Sequence, residues 1–391
     1  MPGRVAESRR LAAVQTPVIP IISRWTAETP GTISLGQGIV SYGPPPEAVE
    51  AVRRFGERLD DHRYGPVEGL PALVEALEEK LAAENGIAVR PVSRLVVTAG
   101  ANLAFMNAVL AITDPGDEVI LPAPFYFNHE MAIVMAGARP VAVATDADYQ
   151  LDPDAIARAV TGRTRAVVTV SPNNPTGAVY PEEALRRVNA LCRDGDLFHV
   201  HDETYEYFTY DGAAHFSPGS IADAAGHTIS LFSMSKAYGL ASWRVGYMVA
   251  PDALWEAINK IQDTMLICAP SVSQIAAVAA LRVGRKYVAD RLPTLGAMRR
   301  TIGDALGAPS VPCHAPRTDG AFYYFVRVFG TRDPLALVER LIREHGVAVV
   351  PGSAFGDREC SMRVSFGALE PAAAAEGVRR LVHGLAALVQ A

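Results

Sequence analysis

Three features of this sequence predict an α/β fold: a mainly parallel sheet with helices on both faces and a smaller α+β domain beside it. Its 391 residues exceed one small core, and 49% hydrophobic with 20% charged content is that of an ordinary globular chain. From Arg94 to Glu203, short β-branched or apolar runs alternate with helical stretches, the pattern of a parallel sheet. Beyond about residue 308 the pattern becomes strand, helix and short strands, which marks a second, smaller unit.

Residues 1–44 read as an arm that joins the small domain, because Pro17, Pro20, Pro30 and Pro44 to Pro46 interrupt any long helix. Within it, SLGQG (Ser34 to Gly38) offers backbone without Cβ, suited to a turn or to close approach of a ligand. Leu70, Leu73, Val74, Leu77 and Leu81 form the stripe of an amphipathic helix that Gly86 stops. Tyr64 precedes that helix in a turn-rich segment.

RLVVTAG (94–100), EVILP, RPVAVAT, RAVVTVSP and LFHVHDE are the expected strands that follow. The helices between them cover Asn102 to Ile112, Phe127 to Ala136, 152–160 and 181–195. Thr228 to Phe232 and VGYMVAP (245–251) complete the sheet. Helices are expected over 251–265 and 271–283, and a longer helical stretch broken by Pro293 leads towards residue 308. AFYYFVRV (321–328), a helix over 334–346, the short strands VAVVPG and MRVSFG, and a helix from Glu370 make the last unit. The expected division is an arm over 1–44, a large domain over 45–284 and a small domain over 285–391.

A net charge of -6 gives no basic footprint for nucleic acid. No run of about 18 apolar residues predicts a membrane span, and the N-terminal apolar run is too short and proline-broken for a signal peptide. Cys192, Cys268, Cys313 and Cys360 form no CxxC or Cys/His cluster, which points to free thiols in a reducing cytoplasm and to no metal site.

Ligands of parallel sheets gather beyond the carboxyl ends of the strands. The polar residues stand there: Gly100-Ala101-Asn102, Pro124-Phe125-Tyr126, Asn173-Asn174, Asp202 to Tyr205, and Ser233 to Lys236. Lys236 is one of four lysines and follows an apolar strand in SLFSMSKAYGLASWRVG, with Arg244 eight residues on. A lysine at a strand end is by itself as readily a surface residue as a reactive amine. The convergence of strand ends is stronger evidence for a site than any one of these residues.

These motifs, from SLGQG through SPNNPTG (171–177) and SMSK (233–236) to MRVSFG (362–367), in this order and spacing, resemble the class I/II aminotransferase family. That family consists of fold-type I, aspartate aminotransferase-like enzymes dependent on pyridoxal 5′-phosphate (PLP), and the resemblance runs from about Ser34 to Gly367. It implies that Lys236 forms the internal aldimine and then shuttles a proton, and that Asp202 pairs with the pyridine nitrogen with His129 in support. It also implies that Asn174 and Tyr205 hydrogen-bond the phenolic oxygen, Asn174 rather than its neighbour Asn173 standing directly before the proline. Tyr126, with Phe125 as the competing choice, stacks on the ring. Gly100, Ala101, Asn102, Ser233 and Arg244 hold the phosphate, with Ser235 a further candidate. Tyr64 reaches the phosphate of a neighbouring subunit, so the resemblance implies a homodimer with shared active sites. Arg363, with Gly38 and Asn174 nearby, grips the substrate α-carboxylate.

The implied activity is ping-pong transfer of an amino group between an L-amino acid and a 2-oxo acid. A PLP-dependent lyase, decarboxylase or oxidative deaminase on the same scaffold, including those of secondary metabolism, is the alternative. A PLP-binding transcription regulator would need a DNA-binding domain that 44 residues do not supply, and no GxGxxG follows a strand to support a nicotinamide enzyme. Trp25, Ile39, Val40 and Tyr42 are candidate pocket residues that favour an uncharged or aromatic substrate side chain.

Overall fold

A computed structural model describes residues 7–89 and 91–389. Its centre is a seven-stranded sheet made of β1 (Ser93–Thr98), β2 (Glu118–Ala123), β3 (Arg139–Ala144), β4 (Thr164–Val170), β5 (Phe198–Asp202), β6 (Thr228–Ser233) and β7 (Gly246–Pro251). The spatial order is β1-β7-β6-β5-β4-β2-β3. Only β7 runs against the rest, pairing antiparallel with both β1 and β6. The strands are valine-, isoleucine- and leucine-rich because both faces are covered. Val96, Leu121, Val168, Ile229 and Met248 belong to one core with Phe105 and Ile133, while Val97, Ile120, Val167, Phe232 and Val249 belong to the other.

Helices Ala101–Ile112, Phe127–Ala136, Pro153–Ala159 and Glu182–Asp194 follow β1 to β4. The Asp152 carboxylate accepts from the amides of Asp154 and Ala155 at 3.0 and 2.9 Å and fixes the start of the third. These connections bring the carboxyl ends of β4, β5 and β6 side by side. The site is assembled there.

A second sheet, antiparallel throughout, contains β8 (Cys313–His314), β9 (Tyr323–Val328), β10 (Val350–Pro351) and β11 (Ser361–Ser365) in the order β10-β11-β9-β8. Helices Pro334–His345 and Pro371–Val389 pack on each other beside it. The segment expected as one strand, VAVVPG, divides in two. Val347–Ala348 pairs in parallel with Ile33–Ser34 of the arm, and Val350–Pro351 pairs with β11. One short run serves two neighbours, so the arm is stitched to the C-terminal part of the chain.

Two proline expectations need correction. The arm contains an eleven-residue helix, Val18–Glu28, with Pro20 inside it. Pro293 likewise does not break a helix: it lies in the first turn of Leu292–Leu306, and a separate turn, Lys286–Ala289, precedes it. In both cases the missing N–H falls where a helix has no intrahelical partner for it. Among the described residues no helix is long and apolar enough to cross a membrane.

Candidate active site

A cavity of about 260 Å³ lies over the ends of β4, β5 and β6 and is closed on the other side by the arm, β9 and β11. Lys236, Asp202, Asn174, Tyr205, Tyr126, Ala101, Asn102, Ser233, Arg244, Gly38 and Arg363 all line it.

Lys236 sits in a one-turn helix, Met234–Ala237, that begins where β6 ends; the Ser233 hydroxyl accepts from the Ser235 amide and caps the turn. Its ammonium nitrogen donates to the Gly38 carbonyl at 2.6 Å, and its own carbonyl accepts from the Tyr42 hydroxyl at 2.9 Å. Burial, then the positive charges of Arg363 and Arg244, lower the amine to about 8, against a smaller opposing pull from Asp202. The amine is therefore available as a nucleophile and base near neutrality.

Asp202 ends β5 and is buried. Burial alone would raise its carboxyl; the His129 ring nitrogen at 3.2 Å and the Thr204 amide at 2.9 Å outweigh that and hold it below the ordinary value. His129 is fixed by stacking on Phe105, ring centroids 4.0 Å apart. A buried carboxylate held ionised suits a cationic ring nitrogen.

Within SPNNPTG the two asparagines separate. Asn173 organises the turn, accepting from the Thr176 amide and hydroxyl at 3.1 and 2.8 Å, whereas Asn174 faces the cavity and accepts from Arg363 at 2.8 Å. Tyr205 is buried and places its hydroxyl 2.6 Å from that of Tyr323. Tyr126, not Phe125, lines the cavity; Phe125 packs in the core against Gly356.

At the other end, Gly100 adopts φ +83° and caps helix Ala101–Ile112 without a side chain, so the first amides of the helix open into the cavity. A Cβ at Gly100 would strike the Arg244 guanidinium. Arg244, itself at φ +56°, bonds only to the carbonyls of Ala241 and Ala99, at 3.0 and 3.5 Å. Among the described residues no carboxylate pairs with it.

Arg363 is in β11, an inner strand paired on both sides, so it is not an edge-strand surface residue. It is 3% exposed; one terminal nitrogen donates to Asn174 and the other to the Gly36 carbonyl, both at 2.8 Å, and its Nε has no partner. The close approach expected at Gly38 is present: a Cβ there would lie 2.8 Å from the Tyr323 hydroxyl.

Tyr64 does not reach this cavity and is 80% exposed. Of the four candidate pocket residues only Ile39 lines it; Trp25 is core, Val40 packs against the core, and Tyr42 braces the Lys236 turn. Sequence reasoning gave no individual role to Ile19, Gln37, Phe127, Val170, Thr204 and Tyr323, although Gln37 and Thr204 lie in stretches it singled out. Thr204 was within reach, since it follows Asp202 by two residues and its amide caps that carboxylate. Tyr323 carried no signal beyond its place in an aromatic strand.

The residues fit PLP. An arginine with no carboxylate among the described residues, beside a helix N-terminus without a side-chain cap, suits a phosphate dianion, a buried ionised aspartate suits a pyridinium nitrogen, and a neutralisable lysine feels both charges. Fold and site together define a fold-type I enzyme of the PLP-dependent class. The family model "Aminotransferase class I and II" matches residues 30–381, and the chain belongs to that family. It is 37% identical to an aromatic aminotransferase of Arabidopsis thaliana, over 96% of this chain and 97% of that one. To a probable aspartate/prephenate aminotransferase of Thermus aquaticus it is 37% identical, over 83% and 84%. A solved aspartate aminotransferase of Thermus thermophilus with maleate superposes with a TM-score of 0.89 at 32% identity, covering 97% of this chain and all of that one. The protein is accordingly a PLP-dependent aminotransferase that moves an amino group between an amino acid and a 2-oxo acid. The lyase and deaminase alternative is not favoured.

Proposed function

We propose that this aminotransferase holds its substrate by Arg363 and prefers an amino acid with an uncharged, large apolar or aromatic side chain. One observation carries the reading: Arg363 is a buried guanidinium with an unpartnered Nε and, among the described residues, no paired carboxylate. Burying such a charge is costly until an anion arrives, and an α-carboxylate matches its fork.

When bound, PLP supplies an electron sink for the bonds at the substrate Cα. Asp202 would keep the ring nitrogen protonated, with His129 and the Thr204 amide orienting its carboxylate. Asn174 and Tyr205 would donate to the phenolic oxygen, and Tyr126 would cover the ring face. Gly100, Ala101, Asn102, Ser233 and Arg244 would hold the phosphate. Arg363, with the backbone at Gly38, fixes the amino acid, and the Lys236 amine takes the proton from its Cα.

The side-chain preference is supported by Ile19, Ile39 and Phe127 on the cavity wall, where the cations among the described residues are Lys236, Arg244 and Arg363. All three already have roles, which leaves no cation among the described lining residues for a second carboxylate. Specificity constants over a panel of amino acids test this: phenylalanine, tyrosine and methionine are expected to exceed aspartate by at least about tenfold, the worth of one unpaired buried carboxylate. Aspartate as the best donor overturns it.

The proposal extends to a homodimer in which the exposed Tyr64 reaches the partner subunit's phosphate site. Sedimentation at the mass of one chain by a fully active enzyme would remove that part. The four cysteines make no disulfide, which supports a reducing cytoplasm. Pairing of Ile33–Ser34 with Val347–Ala348 supports the division into an arm (1–44), a large domain (45–284) and a small domain (285–391) that the arm joins.

A further inference from the structure

Strand β9 delivers to the cavity one side chain that touches three parts of the site at once. Tyr323 is fully buried, and its hydroxyl lies 2.6 Å from that of Tyr205. Its ring stands 4.6 Å from the Arg363 guanidinium carbon, a cation–π contact that fixes the plane of the fork. The same hydroxyl occupies the space that a Cβ at residue 38 would need, beside the carbonyl that accepts from Lys236.

The Tyr205–Tyr323 contact has a direction to be chosen. Burial, first of all, raises Tyr205 well above its ordinary value and Tyr323 to about 12, so both phenols keep their protons near neutrality. Between two neutral hydroxyls only one donates. If Tyr205 donated to Tyr323, it would have no proton left for a third group. If Tyr323 donates, the Tyr205 proton is free to turn into the cavity, and a hydroxyl that accepts one hydrogen bond is a stronger donor of the next.

We infer that Tyr323 is a positioning residue: it donates to Tyr205, turns the Tyr205 proton toward the cofactor's phenolic oxygen and strengthens that bond. The inference rests on the reading that Tyr205 faces this oxygen. The anionic oxygen helps to hold the proton of the neighbouring cofactor-bound nitrogen. Each hydrogen bond given to the oxygen draws off part of its charge, so that the proton leaves at lower pH. Loss of a donor therefore raises the pH midpoint of the bound cofactor's visible absorbance.

The test is a spectroscopic pH titration, without substrate, of the PLP-loaded wild type, Tyr205→Phe, Tyr323→Phe and the double variant. A charge-assisted hydrogen bond corresponds to about one to two pH units, the expected rise for Tyr205→Phe. Cooperative strengthening of about 10–30% per bond then gives a rise of roughly 0.1–0.6 for Tyr323→Phe. The double variant is expected to titrate with Tyr205→Phe, because Tyr323 acts only through that hydroxyl. Tyr323→Phe keeps the ring in the core and over Arg363, and circular dichroism checks that the fold is retained. An unmoved or lowered midpoint in Tyr323→Phe, beside a raised one in Tyr205→Phe, overturns the inference alone. A further rise in the double variant also overturns it, by showing that Tyr323 acts independently of Tyr205. An unmoved midpoint in Tyr205→Phe overturns the placement of the phenolic oxygen, and the inference with it.

Discussion

Replacing Arg363 separates gripping from chemistry. Its two terminal nitrogens each spend a hydrogen on Asn174 and the Gly36 carbonyl, and its buried Nε has no partner. A carboxylate entering the cavity therefore meets donors already held in position by β11 and the arm. Two charge-assisted hydrogen bonds at about 1.5–3 kcal/mol each give roughly 3–6 kcal/mol, or about 10²–10⁴ in kcat/KM, for Arg363→Ala. Arg363→Lys keeps a cation but loses the planar fork, so a loss of about 10–100-fold is expected, one bond's worth. The assay is a single-turnover reaction of the loaded enzyme with amino acid alone, followed by the cofactor's absorbance over a range of substrate concentrations. Thermal unfolding of the substrate-free enzyme supplies the second reading. Arg363→Met removes a buried charge without an anion, so its midpoint is not expected to fall. An Arg363→Ala enzyme that keeps kcat/KM within about tenfold of wild type would falsify the argument, since two charge-assisted bonds are worth more than that.

Two other outcomes follow from the same geometry. Because the Lys236 amine titrates at about 8, reloading of PLP into cofactor-free protein, measured against a free lysine analogue, should rise about tenfold from pH 6 to 7 and level off above 9. A rate still climbing tenfold from pH 9 to 10 contradicts the lowered amine. The unfolded chain binds more protons than the folded one between about pH 8 and the ordinary lysine value of 10.5, so this lysine makes stability rise with pH across that window. Gly38→Ala places a Cβ 2.8 Å from the Tyr323 hydroxyl and 3.6 Å from Arg363, and overpacking of about 1–3 kcal/mol predicts a loss of roughly 5–100-fold in kcat/KM. Activity within twofold of wild type would show that the backbone need not approach so closely.

The parts that could be read from the sequence were those that obey local rules. The runs 95–97, 119–121 and 166–168 are apolar because helices cover both sheet faces, and that burial leaves a direct imprint on residue type. Lys236, Asp202 and Asn174 were accessible because parallel sheets place their ligands at strand ends, whereas Arg244, which precedes the antiparallel β7, took its role from the family resemblance. Arg363 needed the family resemblance, since an arginine in a short strand has no local mark of burial. Tyr323 was invisible for a different reason: aromatic residues at 322–325 all suit a strand, and only the approach of β9 to Tyr205, beyond the end of β5, brings one of them to the cavity. The prolines misled because their effect depends on position along a helix. Pro20 and Pro293 sit in first turns, where the sequence alone gave no boundary to count from.

The parallel pair between Ile33–Ser34 and Val347–Ala348, together with the Gly36 carbonyl on Arg363, has a consequence for how the chain is made. The sheet that carries Lys236, Asp202 and Arg244 is contiguous from residue 93 to 251 and can close while the rest is still on the ribosome. The arm strand Ile33–Ser34 has no strand partner until Val347–Ala348 emerges, so the proposed carboxylate grip at Arg363 is completed after that sheet. A nascent chain would then acquire its cofactor pocket before it can select a substrate, and a chain truncated before Val347 would lack both the arm's partner and Arg363.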